Sequence, residues 1–296
     1  MIRITSQGTT ARLMHHLQTT QARLAETQDR MGSGKRILRP SDDPFGNSHA
    51  MAMHADLSLI GQRQRSIELA KSELAVTESS LEGLGWVISR AQELSVQADS
   101  SALDGAGRLA IAAEIDRLIQ EAATIGNTSY SGRRIFGGYQ STTQPFTPDL
   151  PANATAVAYA GDAGVITRAI GTGENLEVNL GGQALFGGVF TSLIAFRDAL
   201  VANDRPAMSA ASAALGNDAD RALQARGEIG ARMRRVDLAS ERLEGDVVRL
   251  QTQIAEVEDA DLTQEAVDLQ MRDVAMQAAL SATAKSLTTS LLEFLR

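Results

Sequence analysis

The chain has 296 residues, a formal net charge of −8, no cysteine, and only 4% aromatic residues among 43% hydrophobic ones. The lack of cysteine excludes disulfide frameworks, thiolate zinc sites and thiol nucleophiles, and the acidic balance argues against nucleic acid as the main partner. The apolar residues are mostly Ala, Leu, Ile and Val, a composition that favours thin helical bundles over a thick core.

The N-terminal residues carry no apolar run after their first charge, and no stretch of about 18 consecutive apolar residues occurs anywhere in the chain. We therefore expect neither a cleavable signal peptide nor insertion into a membrane. The first predicted helix then follows, with apolar residues at heptad spacing in Leu13, Leu17, Leu24 and Met31. It is predicted to end near Gly32 and Gly34, since Gly favours helix ends.

A second helix is predicted to begin after Asp42 and Asp43. Asp43 has the side chain of an N-cap, and Pro44 fits the first helical position, where no backbone N–H is needed. Ile60, Ile67, Leu74, Leu81 and Ile88 recur every seven residues, which indicates one long helix.

The middle of the chain changes character after a third helix that ends at Gly126. Short β-branched and aromatic runs at 156–159, 165–167 and 176–180, separated by Gly-containing turns, predict strands. Helix is predicted to return at about 189–201 and to resume after a break at 203–206. Its later part keeps heptad spacing to Val257, and we place a hinge at 258–262, with Asp261 as a helix cap.

The terminal helix carries two apolar stripes and needs partners on two sides. Its predicted assembly residues are Leu262, Leu269, Met276, Leu280, Leu287, Leu291 and Phe294; Val267, Met271, Val274 and Ala278 form the neighbouring stripe. Residues 1–40 carry seven basic and two acidic side chains, whereas residues 255–296 carry three basic and eight acidic ones. Opposite charge beside apolar seams favours pairing of the two ends. Two separate solvated helices on an ordinary core are the alternative.

The predicted fold is therefore mainly α: a long antiparallel helical bundle or coiled coil formed by both chain ends, with a small β-rich inserted domain. Three domains are expected. Residues 1–43 and 258–296 form a terminal coiled-coil assembly domain, 44–137 and 189–257 a helical rod domain, and 138–188 a β-rich outer domain.

No residues form a catalytic constellation, so no enzyme activity, cofactor or metal site is predicted. His15 and His16 are adjacent and point to different sides of a helix, while His49 and His54 are five apart, where three or four would share a face. The alternative from another class is a ligand site in the β insertion, which the scarcity of charged and nucleophilic groups there disfavours.

Three segments stand out as motifs: residues 33–37 with Asp42, Asp43 and Pro44; residues 130–139 with Phe136, Gly137 and Gly138; and residues 258–262 with 291–295. They resemble, in this order, the N-terminal signature, a junction-protein segment and the C-terminal ending of the flagellin superfamily, and within it of the hook–filament junction proteins.

The resemblance implies a structural adaptor that joins the hook, through the first hook-associated protein (FlgK), to flagellin. It implies secretion in an unfolded state through the flagellar type III export apparatus, an export chaperone of the FlgN type, extracellular assembly by pairing of the terminal helices, and self-association within a junction layer. The alternative in the same superfamily is a flagellin that forms the filament itself.

Overall fold

The computed structural model describes residues 6–100 and 104–294, with side chains from residue 11 to residue 285. The helices are α1 (Ser6–Ser33), α2 (Pro44–Ala98), α3 (Gly105–Gly126), α4 (Gly182–Ala202), α5 (Arg205–Glu258) and α6 (Leu262–Phe294). The strands are β1 (Ser129–Tyr130), β2 (Arg133–Arg134), β3 (Phe146–Pro148), β4 (Val157–Tyr159), β5 (Thr167–Ala169) and β6 (Asn175–Glu177). The mainly helical fold with small β insertions confirms the predicted class.

The chain divides into two compact units. The terminal unit comprises residues 1–59 and 245–296, and the central unit comprises residues 60–244. The long helices α2 and α5 each contribute residues to both units.

In the central unit, α2 and α5 lie side by side. The heptad positions Ile67, Leu74, Leu81 and Ile88 are all buried. Polar groups join the two helices along their length: the hydroxyls of Ser95 and Ser212 lie 2.9 Å apart, and the Arg226 guanidinium donates to Glu78 at 2.8 Å. The heptad repeat thus marks the buried face of α2, as expected.

The β insertion consists of three separate antiparallel hairpins, β1–β2, β3–β4 and β5–β6. The strands predicted at 156–159, 165–167 and 176–180 overlap β4, β5 and β6, each of which is three residues long. β5 begins only at Thr167, the last residue of its predicted range, and β6 ends at Glu177, three residues before the predicted end. Strands β1 to β3 were not predicted, because none of them lies in a run of β-branched and aromatic residues: β2 consists of two arginines, and β3 follows a proline and ends in one.

Helix α4 begins at Gly182, seven residues before the predicted start at about 189, which corrects that expectation. Glycines at 181–182 and 187–188 resemble turn signals in the sequence. In the fold, a Cβ at Gly182 would lie 2.4 Å from the Phe136 carbonyl oxygen, and one at Gly188 would lie 2.7 Å from Asp218 Oδ1. These glycines therefore permit close packing instead of ending the helix.

Phe186 and Phe190 of α4 form an aromatic cluster with Phe136 and Phe146 in the central unit. The ring of Phe186 lies 4.9 Å from that of Phe136 and 5.1 Å from that of Phe146, and Phe146 lies 5.3 Å from Phe190. Among the described residues α4 is the one helix long and apolar enough to cross a membrane, and more than half of it is buried inside the protein. It is thus placed as a core helix of this unit.

In the terminal unit, α1 and α6 pack against each other in antiparallel directions. The backbone of Lys35, just after α1, forms an isolated antiparallel β-bridge with that of Asp259, just before α6. Further along the pair, Arg272 Nη1 donates to the Arg23 carbonyl at 2.9 Å. The predicted pairing of the two chain ends is therefore confirmed.

Candidate assembly interface

The segment after α1 is bonded to the junction between α5 and α6. The Arg36 N–H donates to the Glu258 carbonyl at 2.6 Å, and the Ala260 N–H donates to the Gly34 carbonyl at 2.9 Å. Gly34 has φ +70°, a conformation that suits glycine. The proposed hinge at 258–262 is thereby held by backbone hydrogen bonds to the other end of the chain.

The Glu258 carboxylate lies at the centre of this junction. Lys35 Nζ lies 2.7 Å from its Oε2, and His54 Nε2 lies 2.9 Å from its Oε1. The hydrogen bond from Lys35, and then that from His54, lower the pKa of Glu258 below its ordinary value of 4.5. Its side chain is 12% exposed, while both partners are about half exposed. In its charged form Glu258 therefore connects the end of α5 to the segment after α1, through Lys35, and to α2, through His54.

Replacing Glu258 with Gln is expected to destabilise the terminal unit by about 1 kcal/mol at neutral pH, because partly exposed ion pairs contribute little more. Since the folded state lowers the pKa of Glu258, its contribution is present above pH 4.5 and is lost as pH falls through the lower folded-state pKa. The difference between wild type and Glu258→Gln should therefore disappear below that range. Hydrogen exchange at the Ala260 amide, followed as a function of pH, measures this difference in the stability of the terminal unit.

Glu256→Gln is the matched control for this experiment, since Glu256 lies two residues earlier on the same helix and is exposed. Its exchange should follow that of the wild type at every pH. A difference between Glu258→Gln and wild type that persists unchanged in acid would contradict the assigned role of the carboxylate.

The motif residues Asp42, Asp43 and Pro44 shape the turn that starts α2. Asp42 Oδ2 accepts hydrogen bonds from the N–H groups of Arg39, at 2.8 Å, and Leu38. Asp43 Oδ1 accepts from the Gly46 N–H at 2.9 Å, and its Oδ2 pairs with Arg36 at 3.1 Å. The Gly46 bond, followed by Arg36, lowers the pKa of Asp43. Pro44 is the first residue of α2, so this motif is a helix cap.

The predicted assembly residues lie at different places on the α1/α6 pair. Leu13, Leu17 and Leu24 of α1 and Leu269 and Met276 of α6 are half-buried. Met31, Leu262 and Leu280 are 39%, 54% and 48% exposed. Leu287, Leu291 and Phe294 lie outside the described side chains. The contact itself includes polar groups, among them Arg30, whose guanidinium lies 3.8 Å from Glu265.

Much apolar surface of the terminal unit is not covered by any described part of the chain. Val267, Met271 and Val274, on the second predicted stripe of α6, are between 48% and 61% exposed, and Phe45 is 91% exposed. Phe45 lies beside a groove that Ala52 and Val257 also line. Exposed apolar surface of this extent is typical of surfaces that bind another protein.

The motif Phe136, Gly137 and Gly138 holds a turn against the aromatic cluster of the central unit. Phe136 is fully buried, and its carbonyl accepts a hydrogen bond from the Tyr159 hydroxyl at 2.9 Å. Asp162 Oδ1 accepts from the Tyr139 N–H at 2.7 Å, and the Asp162 N–H donates to the Gly137 carbonyl at 3.1 Å. This motif therefore supports the core and lies outside the terminal unit.

Gly138→Ala should destabilise the central unit more than Gly132→Ala. Both glycines have positive φ, +64° and +75°, where an L-residue costs about 1–2 kcal/mol. Only at Gly138 would the new Cβ also clash, 2.1 Å from Asp162 Oδ1, whereas nothing lies within 4 Å at Gly132. Urea unfolding measures the free energies of unfolding of both variants. Equal losses would contradict the close contact with Asp162.

Two of the four histidines lie in the first part of α2, within the terminal unit. His54 contacts Glu258, while His49 lines the groove beside Phe45. Within the described part of the chain, no group of three or more His, Asp or Glu side chains is arranged to hold a metal ion. The contact between Lys35, His54 and Glu258 was not predicted from the sequence, because the bonded residues are up to 223 positions apart and no local pattern links them.

Two family models match the chain. The bacterial flagellin N-terminal helical region matches residues 4–141, and the bacterial flagellin C-terminal helical region matches residues 214–295. Together they cover α1 to α3 and most of α5 with α6.

Individual proteins are also similar. The flagellar hook-associated protein 3 of Escherichia coli K12 is 26% identical over 186 residues, which are 62% of this chain and 57% of that protein. Flagellin FlaB2 of Treponema pallidum is 25% identical over 278 residues, 90% of this chain and 91% of that protein. The crystal structure of Bacillus cereus FlgL superposes with a TM-score of 0.61 at 26% identity, covering 69% of this chain and 99% of that one. The match thus spans less than two thirds of the Escherichia coli relative.

Proposed function

The chain belongs to the flagellin family, whose members are structural components of the bacterial flagellum, and from this premise we propose that it is the adaptor at the hook–filament junction. The observation that carries the proposal is its similarity to Bacillus cereus FlgL along 99% of that solved chain. The similarity to hook-associated protein 3 of Escherichia coli agrees with it.

The proposed partners follow from the position of such an adaptor. One face of the layer contacts the first hook-associated protein (FlgK) on the hook side, and the other contacts flagellin, while copies of the chain contact one another within the layer. The protein reaches this place outside the cell through the flagellar type III export apparatus. Its mature location is extracellular.

The terminal unit is the proposed assembly surface. The described residues leave its side chains Phe45, Val267, Met271 and Val274 exposed, so burying them against neighbours stabilises the assembly. An export chaperone of the FlgN type is proposed to cover α6 before secretion, when the same surface would promote aggregation. The absence of cysteine leaves no disulfide to prevent export of an unfolded chain.

A flagellin that forms the whole filament is the second candidate function. The observation in its favour is the similarity to flagellin FlaB2 of Treponema pallidum over 91% of that protein. The two candidates differ in extent of assembly, since an adaptor stops after its layer and a flagellin polymerises further.

Immunogold electron microscopy of isolated flagella tests the proposal. The antibody is raised against the β3–β4 hairpin, where Thr147 and Ala158 are exposed. A narrow band of gold at the boundary of hook and filament is expected. Gold along the entire filament would identify a flagellin, and unlabelled flagella from cells that secrete the protein would contradict both candidates.

A further inference from the structure

The two flanks of the α1/α6 pair carry different side chains. One flank, here called the basic flank, is a groove of about 380 Å³ lined by Thr20, Arg23, Glu26, Arg272 and Ala275. Glu26 is already paired with Arg30, at 2.7 Å. Because Arg23 and Arg272 both line it, the basic flank has an excess of positive charge that a carboxylate would neutralise.

The opposite flank, here called the acidic flank, is mostly apolar. At about 100° per residue, Leu262, Ala266, Asp273 and Leu280 fall on the side of α6 away from Ala275. All four are exposed. Asp273, whose carboxylate accepts a hydrogen bond from Gln277 at 3.1 Å, is the charged residue of this set.

The charges of the two flanks lie at the same height on α6. Arg272 and Asp273 are consecutive, so they differ by about 1.5 Å along the axis and by about 100° around it. Arg23, whose carbonyl binds Arg272, marks the same level on α1. A second copy placed side by side with the first would bring its Asp273 to the level of Arg23 and Arg272.

We propose that the basic flank binds the acidic flank of a second copy of this chain, with Asp273 of one copy between Arg23 and Arg272 of the next. This inference rests on the proposed function and specifies the contact within the junction layer. The contact joins two different surfaces, so each copy keeps one free flank and the contact repeats from copy to copy. It also buries Leu262 and Leu280 on one side and Met271 beside the groove on the other.

Cysteine pairs test this contact, since the natural chain contains no cysteine. The variant Gln277→Cys with Ala275→Cys places one thiol on each flank and keeps the Asp273 carboxylate, because Gln277 is exposed one turn after Asp273 on the same side of α6. Residues two apart on a helix face away from each other, which bars a bond within one chain. Oxidation of isolated flagella should then give a ladder of disulfide-linked copies. Each single variant should give monomers, because a repeating contact between unlike flanks never brings two copies of one position together.

Charge reversal provides a second measurement. Arg23→Glu and Asp273→Arg should each lower the amount of the protein in flagella about tenfold, equivalent to roughly 1.4 kcal/mol. The double variant should restore part of it, because the new arginine pairs with Glu at position 23 but still faces Arg272. The matched control is Asp29→Arg, which makes the same charge change at an exposed position on α1. Its incorporation should equal that of the wild type.

A ladder from the double cysteine variant, or restoration by the double charge reversal, supports the contact. Dimers from a single cysteine variant would overturn it, because they require like flanks to meet. The absence of both ladder and restoration would also overturn it. If the contact is overturned, a gold band at the hook–filament boundary still supports the proposed function. Gold label along the whole filament would reject that function independently of the contact.

Discussion

Leu269→Asp is expected to abolish incorporation into the flagellum while the central unit stays folded. Leu269 is half-buried on α6, one turn from Glu265 and Arg272, whose side chains contact Arg30 and Arg23 of α1. Removing its half-buried side chain and placing a charge there should destabilise the helix pair by about 1–3 kcal/mol. Amides of α1 and α6 should then lose protection from hydrogen exchange, whereas those of α3 and α4 should keep it.

Leu223→Asp is the matched control, because Leu223 is an exposed leucine on α5 in the central unit. It makes the same chemical change away from the terminal helices. Cells that carry this variant should be as motile in soft agar as wild-type cells. Normal motility of Leu269→Asp, with gold label at the junction, would reject the model of assembly through paired terminal helices.

Phe186→Ala is expected to destabilise the central unit by about 3–5 kcal/mol, the usual effect of removing a buried Phe side chain. Phe186 is fully buried and its ring contacts those of Phe136, Phe146 and Phe190. The substitution would leave a cavity at the centre of the aromatic cluster. Urea unfolding followed by circular dichroism gives the change in the free energy of unfolding.

Phe45→Ala makes the same substitution at a side chain that is 91% exposed. Its free energy of unfolding should change by less than about 0.5 kcal/mol. Under the proposed function it should nevertheless reduce incorporation, since Phe45 would be covered only in the assembly. A loss of stability in Phe45→Ala equal to that of Phe186→Ala would contradict the placement of both rings.

The helices were predictable because the signals that define them are local. Asp43 and Asp261 cap α2 and α6 through bonds to N–H groups two or three residues later, as their positions in the sequence indicated. The heptad repeat of α2 predicted which face would be buried, since apolar residues repeated every seven positions keep one side of a helix apolar. Opposite charge at the two chain ends likewise indicated their pairing.

Other features depended on residues far apart in the chain. The early start of α4 is permitted by the contact of Gly182 with Phe136, and neither residue signals the other in the sequence. The sequence offered two apolar stripes on α6 but did not determine which would face α1. The backbone β-bridge between Lys35 and Asp259 fixes where α1 and α6 begin their contact. Further along, Arg30 and Arg272 each contact the opposite helix. Local patterns thus determined where helices form, whereas long-range polar contacts in the folded chain decided which faces were left for a neighbour.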